Sequence, residues 1–68
     1  MKFIVRNIGG GYQEMEVDEI STGTMNQKEA INLAQKIISA AEDLLYIAGL
    51  RVASDACGTI VEDLKDYI

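Results

Sequence analysis

The chain has 68 residues, one cysteine, no histidine and a formal net charge of -5. A single cysteine excludes an internal disulfide, and without histidine the usual zinc and iron ligand sets cannot be assembled. The six basic residues are spread along the chain, which argues against direct nucleic-acid binding through phosphate neutralisation. A chain this short buries only roughly 60% of the surface its unfolded form exposes, so self-association is the expected source of further stability.

At the N-terminus the apolar run Phe3-Ile4-Val5 is broken at once by Arg6, so no signal peptide is expected. Glu42 and Asp43 interrupt the longest apolar stretch, which falls short of the roughly 20 residues of a bilayer span. The expectation is a cytoplasmic chain with no membrane contact.

The first predicted element is a β-hairpin from Lys2 to Ile20. Gly9, Gly10 and Gly11 form its connection, because glycine enters positive-φ turn conformations without steric cost. In the register that sets Ile8 opposite Tyr12, Arg6 faces Glu14 and Lys2 faces Asp18 on one side, while Val5 faces Met15 and Phe3 faces Val17 on the other. Opposite charges meet and apolar residues meet, with Ile4 opposite Glu16 as the exception. Ser21-Thr22-Gly23-Thr24 reads as a loop, since its hydroxyls compete for backbone hydrogen bonds. A helix then starts near residue 26, capped either by Thr24 with Gln27 or by Asn26 with Glu29.

From Ala30 to Ala48 the helix is strongly periodic. At roughly 100° per residue, Asn32, Gln35, Lys36, Ser39, Glu42, Asp43 and Tyr46 share one sector of roughly 120°. The remaining sector is apolar and wider than the roughly 100° stripe a helix buries against one layer. The apolar direction changes beyond Gly49, where Ala53, Ala56, Cys57, Ile60, Val61, Leu64 and Tyr67 define a new stripe. Two helices are expected, with Gly49 closing the first and Ser54 capping a second over roughly residues 55 to 67. One long helix that switches faces at Gly49, and a short strand over Leu50 to Ala53, are the alternatives.

Little in the sequence points to catalysis. Cys57 has no histidine base and lies between Ala56 and Gly58, which suggests a tight packing position. Glu42-Asp43 and Glu62-Asp63-Asp66 supply carboxylates, but neighbours on a helix diverge by roughly 100° and do not chelate. No enzymatic activity, metal or cofactor is expected. Glu14, Glu16 and Asp18 give the second strand an acidic strip suited to a basic protein partner, and Tyr46, within the polar sector of the helix, offers an aromatic anchor. A small-ligand or nucleotide site would have to draw on the Gly9, Gly10 and Gly11 amides with Arg6, Lys36 and Arg51.

These features give a single small α+β domain over residues 1-68: an N-terminal antiparallel hairpin followed by two helices (ββαα), self-associating through helices at Ile31, Ile38 and Leu45. The expected function is a non-enzymatic acidic protein-binding module acting as a homo-oligomer, of the regulator, antitoxin or inhibitor kind that phages and mobile elements encode. A ligand binder or sponge with sites at the oligomer interface and a structural assembly subunit are the other readings.

Overall fold

Three antiparallel strands followed by two helices give the α+β arrangement expected, with one strand more than the hairpin. The strands are β1 (Phe3–Gly9), β2 (Tyr12–Val17) and β3 (Ile20–Met25), and the helices are α1 (Gln27–Ile47) and α2 (Arg51–Leu64), with a final 3-10 turn at Lys65–Tyr67. The computed structural model describes residues 1–67. They form two compact units, one over Met1–Ala30 and one from Ile31 onward.

In the first unit β2 lies between β1 and β3. Phe3 pairs with Val17, Ile4 with Glu16, Val5 with Met15 and Arg6 with Glu14, which is the register that cross-strand charge and apolarity dictate. The register departs from the expected one at the turn. Tyr12 pairs with Gly9, not Ile8, because the ladder is irregular between Asn7 and Gly9. Gly9, Gly10 and Gly11 all have positive φ, and the Asn7 Oδ1 accepts a hydrogen bond from the Gly9 amide at 3.0 Å. That extra left-handed glycine absorbs one residue as a bulge, leaving Gly10-Gly11 as the tight turn.

Ser21 to Thr24, expected as a loop, belong to β3. The cause is the turn before them: Asp18 and Glu19 have φ of 49° and 72°, and two consecutive positive φ values reverse a hairpin with the twist its strands need. Asp18 is held in place by the start of the chain. Its amide donates to the Lys2 carbonyl at 2.9 Å, and its Oδ1 accepts from the Lys2 amide at 2.7 Å. With the turn fixed, the threonines take the extended conformation that β-branched residues favour. The Thr22 hydroxyl is used within the strand pair, its Oγ1 accepting from the Met15 amide at 3.1 Å.

One residue separates β3 from α1. The Asn26 Oδ1 accepts from the Glu29 amide at 2.9 Å while Glu29 Oε1 accepts from the Asn26 amide at 3.4 Å. This reciprocal pair is the second of the two cap registers expected, and it satisfies donors that a helix start otherwise leaves open.

The second unit turns at Gly49, as expected for two helices. Gly49 has φ of 85°, its amide donates to the Tyr46 carbonyl at 3.0 Å and the Leu50 amide donates to the Leu45 carbonyl at 2.9 Å. These two bonds close a helix with a left-handed glycine just beyond its end. α2 restarts immediately, with Leu50 at its N-cap position and no side-chain cap. Ser54 is therefore not the cap expected of it. Its amide bonds to the Leu50 carbonyl, and its side chain is buried, the Oγ donating to the Glu42 carbonyl of α1 at 2.9 Å. A small hydroxyl residue suits an N-cap and a close helix contact equally, and here the contact uses it.

Candidate interaction surfaces

The two helices run antiparallel side by side. Ser54 meets Glu42 near the turn, and farther along the Gln35 Nε2 donates to the Val61 carbonyl at 3.5 Å. α2 presents Ser54, Cys57, Gly58, Val61 and Leu64 to this contact, all buried or half-buried and spaced as one helical face. Gly58 lies beneath the Glu42 carboxylate, which occupies the place a Cβ would take. Small side chains at Ser54 and Gly58 let the helices approach. Cys57 is half-buried on the same face and forms no disulfide.

On α1 the half-buried residues include Ile31, Ala34, Gln35, Ile38, Ala41, Glu42 and Leu45. Ile31, Ile38 and Leu45, expected at an oligomer interface, thus share the side of α1 that carries Gln35 and Glu42 and faces α2. The rest of the wide apolar sector is left uncovered. Ile37, Leu44 and Ile47 are exposed, Leu44 by 68% and Ile47 by 83%. They lie roughly 140–160° around the helix from Gln35 and Glu42, which bond to α2. α2 has an equivalent outer stripe in Val52, Ala56 and Ile60, with Val52 exposed by 86%.

In the sheet unit the acidic strip is partly neutralised by one cation, Arg6. Arg6 Nη1 lies 3.0 Å from Glu14 Oε1 and Nη2 lies 3.7 Å from Glu16 Oε2. Lys2, Ile4, Glu16, Asp18 and Glu19 line a shallow hollow on this charged side. Two cations against four carboxylates leave the patch acidic, with Asp18 and Glu19 its exposed members. The opposite side carries Phe3, Val5, Met15, Val17 and Ile20 at matching register positions, of which Val5 and Ile20 are largely exposed.

The residues named for a ligand site have separate local roles. Arg6 is held by two carboxylates, the Gly9 amide is held by Asn7, and Arg51 stands over the Tyr46 ring at 5.1 Å, a cation–π arrangement. Lys36 belongs to an open depression with Asn32, Gln35, Ser39, Ala40, Asp43, Val61 and Lys65. It is ten residues, about 15 Å of helix rise, from Tyr46. Among the described residues no cluster of three or more histidine, cysteine or acidic side chains is arranged to hold a metal ion. No described helix is long and apolar enough to cross a membrane.

The sequence itself signals the exposed stripe on α1: Ile37, Ala40, Leu44 and Ile47, all exposed, with the half-buried Leu33 ahead of them, alternate steps of four and three, the spacing of a coiled-coil seam. Compared with known proteins, the chain matches no family model, no curated protein and no solved structure.

Proposed function

We propose that this chain is a non-enzymatic, acidic protein-binding module that works as a homo-oligomer. The observation that carries the reading is the state of the apolar residues: among those described, no hydrophobic side chain is fully buried, while Leu44, Ile47, Val52 and Ile20 are exposed by 68% or more. Exposed apolar stripes of this extent mark association surfaces, and repetition of one chain is the simplest way to cover them. The acidic hairpin end at Asp18 and Glu19 and the Tyr46–Arg51 pair stand outside that stripe and are the surfaces offered to a second protein, one with a basic face. A regulator or inhibitor acts by such occupancy and needs no chemistry of its own.

The test is native mass spectrometry of the protein purified from cells. A multimer of the 7.4 kDa chain without added mass is the expected result. A monomer would overturn the homo-oligomer, and a bound species of a few hundred daltons would replace the protein-binding reading with that of a ligand binder.

A further inference from the structure

Along α1 the seam Leu33, Ile37, Ala40, Leu44, Ile47 is flanked by two exposed opposite charges, Lys36 and Asp43, one heptad apart and each immediately before a seam residue. We infer that the occupant of this seam is α1 of a second copy of the chain, running antiparallel and centred between Ile37 and Ala40. The inference rests on the homo-oligomer proposed above and specifies its geometry.

Volume and charge select this pairing. In it Leu33 faces the second copy's Leu44, Ile37 faces its Ala40, and Ala30 faces its Ile47, so each large residue meets a small one or the two leucines meet each other. That alternation fills a seam without voids. At about 1.5 Å of rise per residue, Lys36 then lies within about 3 Å, along the axis, of the second copy's Asp43, and the symmetry of the pair makes that ion pair twice. A parallel, in-register pairing instead sets Ala40 against Ala40 and leaves a gap. It also places Lys36 and Asp43 opposite Ala41 and Ala48, where no charge answers them. Sliding the antiparallel pair by one heptad sets Lys36 and Asp43 about 7.5 or about 13.5 Å apart along the axis, according to the direction. The centred antiparallel seam is the arrangement that satisfies both packing and charge. The centre of the seam lies on the side of α1 opposite Gln35 and Glu42, while Lys36, Ala40 and Asp43 border the open depression that α1 shares with Val61 and Lys65 of α2.

The test uses the full chain. Lys36→Asp and Asp43→Lys are each expected to raise the dissociation constant of the dimer about tenfold at low salt, since two ion pairs become two repulsions. The double variant restores it to within about threefold. Disulfide trapping gives the direction of the helices. In a Cys57→Ser background, chains carrying Leu33→Cys mixed with chains carrying Leu44→Cys are expected to cross-link as mixed dimers. Either chain alone stays uncross-linked, because like positions lie about 16 Å apart along the axis. Cross-linking of Leu33→Cys to itself, or a dimer whose charge swap gives no rescue, overturns the antiparallel seam and leaves the homo-oligomer standing. A wild-type chain that is monomeric throughout overturns both.

Discussion

Replacing Gly49 with alanine tests the turn between the helices by the sign of its effect. In the structure Gly49 sits at φ of 85° with its amide bonded to the Tyr46 carbonyl. A side chain there brings its Cβ against the following carbonyl, at a cost of roughly 1–2 kcal/mol. Nothing lies within 4 Å of the position a Cβ would occupy, so no packing clash adds to that figure. Alanine also restricts the unfolded chain, which returns about 0.4–1 kcal/mol, and the net expectation is a loss of about 1 kcal/mol. For a chain of this size that corresponds to a fall in Tm of roughly 4–8 °C. The assay is thermal unfolding followed by circular dichroism at 222 nm, at one fixed protein concentration because association shifts Tm. Gly49→Asn is expected to lose less, since asparagine enters the left-handed region more readily. Were residues 27 to 64 one continuous helix, Gly49→Ala would remove an interior glycine and stabilise by about 1 kcal/mol. A rise in Tm would therefore refute the two-helix account.

Three further substitutions examine the sheet unit and the start of α1. Arg6→Glu is expected to destabilise by about 1 kcal/mol in urea titration, because it sets a third carboxylate beside Glu14 and Glu16. Adding Glu14→Arg should recover part of the loss, and no recovery would contradict the register. Glu19→Gly is expected to stabilise by about 1 kcal/mol by relieving a positive φ at a residue with a Cβ, and a loss of stability would contradict the turn between β2 and β3. Asn26→Ala removes the capping oxygen from the Glu29 amide, and a loss of about 1 kcal/mol is expected. An unchanged midpoint would place the helix start elsewhere.

The hairpin register is legible because β1 and β2 carry complementary charges and alternating apolar residues, so a one-residue slip in either direction sets Phe3 and Val5 against carboxylates. β3 was harder to see. Ser21, Thr22 and Thr24 have the hydroxyls of a loop, and what makes them a strand is the turn at Asp18 and Glu19, held by bonds to Lys2 that only the paired sheet creates. Ser54 departs from expectation for a related reason: a small polar residue after Gly49 fits the pattern of a helix cap, whereas its burial against Glu42 depends on how the helices pack. The excess apolar width of α1 was read directly from periodicity. Which part of that width stays exposed follows from the position of α2, which leaves Ile37, Leu44 and Ile47 uncovered while Ile31, Ile38 and Leu45 are half-buried. The acidic strip was legible as charge, but its partial neutralisation by Arg6 emerges only with side-chain positions.

In the proposed homo-oligomer the exposed apolar stripe of α1 is covered by association of the chain with itself. Sedimentation velocity of the wild-type protein beside Leu44→Glu, from a few to a few hundred micromolar, addresses it directly. A multimer for the wild type and a helical 7.4 kDa species for the variant is the result expected, since a charge at an uncovered position leaves the chain intact and opposes only its association. A wild-type chain that sediments as a 7.4 kDa monomer throughout the range, or a variant that associates as strongly as the wild type, would contradict it.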